Sequence, residues 1–548
     1  MYKKLIVLLL LAIVVGIPFV FKKKGNELFE GADQTLVILT AHNEAVRHEF
    51  SIGFKDWYYK KTGKTVNIDW RSPGAGTQEL VQYIDSVYAN AFRLYWENEL
   101  GRQWNTQVQE AFMNRTDVPK PNLPPIFVEV SEAFNNSNVS SGIDIFFGGG
   151  KVDVVGQARK GQIVDSGIFE RHPEWFTDAH IPHYFSGNDL WDEKHRWIGA
   201  AISGFGIIYN QDVLKNIDVT EDIKQWVDLT SEKLIGEIAV TDPVGSGTFT
   251  MTFEIIIQQQ MRNELRSMLD QGEADDEQTR AIAIVQGWMR GMEIIQLISA
   301  NARYFTDAAT KPVLDVSAGD CGVGLSIDFY GLFQEENLRI RSGSDRFVFV
   351  MPKAGSVISP DPIAMFKGAP HPELALDFIE YVLSIEGQQL WDFKVGAPGG
   401  PKLYAISRAP IRKELFEPEY LSYRQNPNLN LYRDAADFTY EPKWTGHLFK
   451  ELRFVIKAAF VDPHEDLVGA WRAIIDARKD GRFRDAEKAM KTMQKLDSIS
   501  YEAVSGPIKE VLSSGNPLDA VQLQAKITRQ FRHQYKKARK IGQGEPVG

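Results

Sequence analysis

An α/β fold class follows from three features of the chain. Strand-like runs and amphipathic helical runs alternate from about residue 34 onward. Three strand-to-helix junctions are small or polar where a ligand would sit. Finally, 43% apolar residues over 548 positions can build more than one core. The first junction takes Leu36-Val37-Ile38-Leu39 into Thr40-Ala41-His42-Asn43-Glu44, and the second takes Val66-Asn67-Ile68-Asp69-Trp70 into Ser72-Pro73-Gly74-Ala75-Gly76-Thr77. The third takes Ile238-Ala239-Val240 into Asp242-Pro243-Val244-Gly245-Ser246-Gly247-Thr248. A helix start offers unpaired N–H groups and a positive dipole end, so such turns suit an anion.

Taken in order, the chain opens with Lys3 and Lys4, an uncharged run from Leu5 to Phe21, and Lys22-Lys23-Lys24. As a helix that run reaches about 25 Å against roughly 30 Å of hydrocarbon, workable with flanking lysines that snorkel. Residues 1–24 are therefore expected to be a signal peptide or an N-terminal membrane anchor. No cysteine follows for lipid attachment. The first helix puts Val46, Phe50, Phe54, Trp57 and Tyr58 on one face, with Glu44 in its first turn and Gly63 at its end. Val66, Ile68 and Trp70 alternate as a strand. A helical excursion from about Tyr83 to Met113 and a proline-rich connection lead to the strand Ile143–Phe147, which ends at Gly148-Gly149-Gly150.

The segment from Gly199 to Asn210 reads as two short strands around Ser203-Gly204. Helices are expected over Phe249–Met268, Asp276–Ala300 and Pro372–Leu383, and Gly322–Gly331 reads as a strand entering a turn. Beyond about residue 440 strand character disappears and the chain becomes amphipathic and basic, notably from Arg529 to Lys540.

Composition narrows the function. With 62 basic and 72 acidic residues the net charge is −10, which disfavours a nucleic-acid binder because a phosphate backbone requires clustered cations. The single Cys321 excludes an intrachain disulfide or a multi-cysteine metal site and reads as a small buried hydrophobe. His42 and His48 stand six residues apart, on different helix faces, which disfavours a shared metal with Glu49. Neither glycine-rich loop has the Gly-Lys-Ser/Thr ending of a phosphate-loop NTPase. Gly-x-Ser-x-Gly and His-Glu-x-x-His are absent, and no catalytic pair stands out, so a binding protein rather than an enzyme is expected.

Four stretches carry a family resemblance: His42-Asn43-Glu44-Ala45, Gly142–Gly148, Gly236–Pro243 with Ser246-Gly247-Thr248, and Ala375–Ser384 followed by Glu386-Gly387-Gln388. In that order the chain from about Leu36 to Pro410 resembles extracellular solute-binding proteins of ABC transporters. It looks most like the type 2 periplasmic binding proteins of the ferric-iron, phosphonate and thiamine cluster. The resemblance implies two α/β lobes joined by hinge strands, with a ligand held between them, and an ABC permease as partner. Iron-binding members use a histidine, a glutamate and two adjacent tyrosines. Here His42 matches the histidine, Gly149 stands for the glutamate, and Phe329-Tyr330 for the tyrosine pair. Two anionic oxygen donors that a ferric ion favours are thus missing.

The resulting expectations are lobe 1 over 34–198, lobe 2 over 199–325, a return to lobe 1 over 326–440, and a helical C-terminal extension over 441–548. The ligand residues expected are His42, Asn43, Ser72, Gly74, Gly76, Thr77, Gly148, Gly149, Ser246, Gly247, Thr248, Asp328 and Tyr330, with Ser203 and Gly204 as the first hinge crossing. The expected ligand is a small oxyanion or a phosphorylated or phosphonate-like solute, with no cofactor and no metal. The protein is expected to be a monomer outside the cytoplasm, in the periplasm or held at the membrane by its N-terminal segment. Two alternatives stay open: a ferric-iron carrier, and an anchored sensor or scaffold module that transports nothing.

Overall fold

The computed structural model describes residues 31–73, 77–118 and 123–546. The membrane-segment expectation for residues 1–24 lies outside them, as do Gly74 and Gly76. Among the described residues no helix is long and apolar enough to cross a membrane.

The first lobe starts with β1 (Gln34–Thr40), α1 (Glu44–Thr62), β2 (Val66–Arg71) and α2 (Thr77–Asn98), and continues with β3 (Ile145–Phe147) and α3 (Lys151–Arg159). After the short β4 (Ile163–Val164), β5 (Trp197–Ser203) stays in the first sheet and β6 (Phe205–Asn210) enters the second. The second lobe then contributes β7 (Ile238–Thr241), α4 (Gly247–Asp270), α5 (Glu277–Asn301), β8 (Ala302–Thr306), β9 (Val323–Ile327), α6 (Asp328–Ser342) and β10 (Phe347–Val350). The chain returns through β11 (Ser359–Phe366), α7 (Pro372–Leu383), α8 (Ile385–Asp392) and β12 (Ala409–Pro410). It ends in helices that include α9 (Phe449–Ile456), α10 (His464–Lys479), α11 (Phe483–Met493) and α12 (Pro517–Gly542).

The first sheet has the order β12-β5-β11-β3-β1-β2, with β4 paired to β11, and β1 is parallel to both β2 and β3. Both faces of this sheet are covered, which is why its strands are apolar at consecutive positions. Leu36 and Ile38 of β1 join α1, α7 and α8 on one face, while Val37 and Leu39 join α2 on the other. Helix α1 begins where the Asn43 side chain accepts from Val46 N–H and ends at Gly63, whose left-handed φ of 72° closes the last turn.

The second sheet has the order β8-β7-β9-β6-β10. Strand β10 pairs with β6, so the second sheet runs on to Val350, past the residue-325 boundary expected from the sequence. The turn expected after β9 is instead the start of α6. The apolar run was readable as a strand end, but whether the next residues coil or turn depends on β10 returning alongside β6.

The C-terminal helices share one core with the second lobe. Ile256, Trp288 and Leu325 of the lobe pack with Leu452, Trp471, Phe531 and Tyr535. Polar ties run through the same interface: Trp471 Nε1 donates to Asn301 Oδ1 at 2.8 Å and Trp288 Nε1 donates to Ile499 O at 2.9 Å. Gln296 Nε2 donates to Met493 O at 2.8 Å.

Candidate functional site

The first-lobe bank is built on the ends of β1, β2 and β3. Past β1, His42 is buried, its ring edge-on to Phe147 with centroids 4.5 Å apart and tilted against Trp391 at 5.6 Å. Burial, and then the positive charges of Arg408 and Arg47, hold its pKa well below the usual histidine value, so the imidazole is neutral. Its Nε2 has no hydrogen-bond partner and points at Gly148. Gly148 has a φ of 84°, and any Cβ there would overlap that nitrogen, so the residue is glycine for two reasons at once. The next glycine, Gly149, lies against the Thr77 methyl group at the start of α2. Asp153, in the first turn of α3, donates its N–H to Gly150 O at 3.1 Å, and its carboxylate lies against Gly150. Burial raises its pKa from the ordinary aspartate value.

The second-lobe bank is the turn before α4. Ser246 is the N-cap, its Oγ accepting from Phe249 N–H. The turn is also held from outside the lobe. Lys457 Nζ pairs with Asp242 Oδ2 at 2.8 Å, and Arg453 Nε donates to Thr250 Oγ1 at 3.0 Å. Thr250 in turn donates to Pro243 O at 2.8 Å and Ser246 O at 3.0 Å. The Arg453 guanidinium flanks Gly247, with Nη2 3.6 Å from the point a Cβ would occupy.

The lobes are joined where β5 passes into β6. Asp328 is buried, and its carboxylate accepts from Gly204 N–H at 2.8 Å and Phe329 N–H at 2.7 Å. Burial pushes its pKa up to about 7, partly offset by those two backbone donors. Where the sequence reading expects a ligand contact, the Asp328 oxygens clasp the backbone of the hinge. The return crossing lies at 351–358, where Ser356 Oγ accepts from Phe205 N–H at 2.9 Å, and Asp328 sits at the first crossing through its bond with Gly204.

Arg408 completes this junction. It is buried, ion-paired with Asp361, and lies over the Phe329 ring at 3.8 Å, with its charge acting on Tyr330, Asp328 and His42. Burial lowers its pKa to about 10. A sequence signal for it existed: Arg408 is the one charged residue between Leu403 and Ile411.

The structure thus brings together His42, Thr77, Gly148 and Gly149 on one bank, and Ser246, Gly247 and Thr248 on the other, with Tyr330 beside the hinge. Asn43 is a helix cap and Ser72 is exposed. Glu49 accepts the backbone N–H groups of Lys402, Leu403 and Tyr404 at 2.6–2.7 Å, so its carboxylate ties the 402–404 turn to α1. Among the described residues no cluster of three or more His, Cys, Asp or Glu is arranged to hold a metal ion. Cys321 is buried, with its thiol pushed up to about 12 by burial, which makes it an inert core residue.

Residues 141–403 match the family of bacterial extracellular solute-binding proteins. Over these 263 of its 548 residues the chain is similar to that family. Its members are binding proteins rather than enzymes, and the match covers β3 through α8 of the structure. An uncharacterized protein of Haemophilus influenzae is 22% identical over 264 residues, 48% of this chain and 64% of its own length. The phosphoglycerate transport regulatory protein PgtC of Salmonella typhimurium is 24% identical over 231 residues, 41% of this chain and 49% of its own length. The chain therefore spans about half to two thirds of the curated relatives it matches. Among solved structures, the periplasmic binding protein AfuA of Actinobacillus pleuropneumoniae superposes with a TM-score of 0.50 at 15% identity, over 78% of this chain and 99% of that one. The chain thus shares the type 2 periplasmic-binding fold, and the helices after residue 440 fall outside the family-matched residues 141–403.

Proposed function

We propose that this protein is the extracytoplasmic solute-binding component of an ABC importer, and that it captures a small phosphorylated solute between its two lobes. Lobe closure then follows population shift: a solute that touches both banks favours the closed arrangement by its differential affinity. His42, Thr77, Gly148 and Gly149 act from the first lobe, Ser246, Gly247 and Thr248 from the second, and Tyr330 beside the hinge. Ser203 and Gly204 form the pivot clasped by Asp328. The closed form presents both lobes to an ABC permease.

The observation that carries the choice of an anion is Arg408. A guanidinium lies over Phe329 and next to Tyr330, where an iron-binding relative would place a pair of phenolates. Paired with Asp361, Arg408 supplies no anionic oxygen at that position, which disfavours a ferric ion and leaves the helix-start N–H groups to suit an oxyanion. The names of similar proteins support the same class: PgtC is described as a phosphoglycerate transport regulatory protein, and AfuA has fructose-6-phosphate bound.

Calorimetric titration with fructose 6-phosphate, phosphoglycerate and inorganic phosphate tests the reading, beside ferric citrate followed by visible absorption. Saturable one-to-one binding of a phosphorylated compound is expected. A coloured iron complex with no phosphate-ester binding overturns it.

A further inference from the structure

Helix α12 carries a charge pattern that solute capture does not use. Its buried residues Ile527, Phe531, Gln534, Tyr535, Ala538 and Ile541 recur at helical spacing and seat it on the C-terminal bundle. The opposite face presents Lys526, Arg529, Lys536, Lys537 and Lys540, all exposed, along about 21 Å of helix. Asp519, in the first turn, is the single acidic residue of α12. Among the described residues Lys526, Arg529, Lys537 and Lys540 have no ion-pair partner, and Lys536 has only Asp466, at 4.0 Å. On the flank, Asp462 is already engaged by Gln524 Nε2 at 2.8 Å and Lys457 Nζ at 3.3 Å. Towards the helix start the row gives way to aliphatic side chains left in water, Leu518 at 61% exposure and Val521 at 63%. A solvated helix face ordinarily mixes both signs of charge. This one carries a single sign, in a chain whose net charge is −10.

We propose that this face of α12 docks the protein on an anionic lipid surface. The row of cations meets the headgroup phosphates, which relieves the mutual repulsion of like charges one helical turn apart. Leu518 and Val521 enter the boundary between headgroups and acyl chains. That aliphatic end is what favours a bilayer over a nucleic acid, because a phosphate backbone offers no apolar layer beside its charges. The C-terminal bundle is thereby a membrane-facing element as well as a buttress for the second lobe. None of these residues takes part in the proposed solute banks, so the two readings stand or fall separately.

The experiment places an environment-sensitive thiol label on the full chain through Gln522→Cys, an exposed position of α12, while the buried Cys321 stays unlabelled. A label there reports docking of this face even where residues 1–24 hold the chain to the same vesicle. On vesicles of phosphatidylglycerol and phosphatidylcholine in equal parts, the emission is expected to shift to the blue and saturate. Phosphatidylcholine alone should require at least about tenfold more lipid, and salt of about 0.5 M should remove the response. K526Q/K540Q should weaken docking by about 20-fold, at roughly fivefold per cation. Replacing all five cations by Gln should reduce it to the level seen on phosphatidylcholine. Thermal melting checks folding, and the two-residue variant keeps the test decisive if the five-residue one does not fold. An equal response on both kinds of vesicle, no response on either, or a response that K526Q/K540Q leaves unchanged overturns the proposal. A response to duplex DNA as strong as that to the anionic vesicles, at matched phosphate, overturns the assignment to lipid.

Discussion

On the first lobe, the residues proposed to meet the solute are held by their own lobe. His42 packs on Phe147 and Trp391, Gly148 donates to Pro362 O at 2.7 Å, and Thr77 lies on Gly149. On the second lobe, the corresponding turn is held by helices that arrive more than two hundred residues later, through Lys457 to Asp242 and Arg453 to Thr250. The first bank is thus complete once its sheet forms. The second requires the C-terminal extension to dock before its turn has its final shape. An appended helical bundle has become part of the framework of one bank only, and the two banks should respond differently to the same kind of damage.

The largest effect expected is on that framework. Trp471→Ala removes a buried indole and its bond to Asn301, and should destabilise the second lobe by about 3–5 kcal/mol. Thermal melting followed by proteolysis would show early cleavage in the second lobe with the first still protected. Equal loss in both lobes would break the comparison.

Next in size, Gly148→Ala forces a Cβ into the His42 ring at a φ of 84° and should cost about 1–3 kcal/mol. Binding should be lost while the C-terminal bundle keeps its protection from hydrogen exchange.

A pH effect sharpens the contrast further. Glu254, on α4, is buried with Tyr440 and Thr445 donating to it at 2.7 and 2.6 Å, and burial pushes its pKa up to about 7. Asp328 at the hinge is pushed up to about 7 as well. In each case the folded chain holds the proton more tightly than the unfolded chain. Their stabilising contribution is therefore full below about pH 4 and declines as pH rises through 7. Melting temperature should fall across that window. Glu254→Gln should flatten the slope, and an unchanged slope would show that Glu254 does not titrate there.

The smallest effect expected is from Lys457→Ala. It frees Asp242 on a partly exposed surface, so global stability should shift by no more than about 1 kcal/mol. Solute affinity should nevertheless fall a few-fold, because the second-bank turn loses one of its two outside ties. An affinity change equal to zero would mean that Arg453 and Thr250 hold the turn unaided.

Much of this architecture was legible along the chain. The alternation of Leu36 and Ile38 with Val37 and Leu39, the cap at Asn43 and the stop at Gly63 are local signals, so β1 and α1 could be placed before any contact was known. The break at Ser203-Gly204 was readable for the same reason. Less accessible were the second lobe's end at Val350, which depends on β10 pairing back to β6, and the role of Asp328, one of whose oxygens accepts from a residue 124 positions away. Among the proposed site residues, His42 and the Gly148-Gly149 turn stood out as residue types at a strand end. Arg453 carried no such mark, since an arginine on an amphipathic helix is ordinarily a solvated one.

The sequence by itself therefore determined the α/β class, the strand-to-helix turns, the hinge step and the helical character of the C-terminal region, because each rests on periodicity and capping within a few residues. Only the tertiary structure decided which charges face those turns. Arg408 is brought to the hinge and Arg453 to the turn before α4 by strand crossing and helix docking across long stretches of chain, and no local pattern encodes where a distant side chain will come to rest.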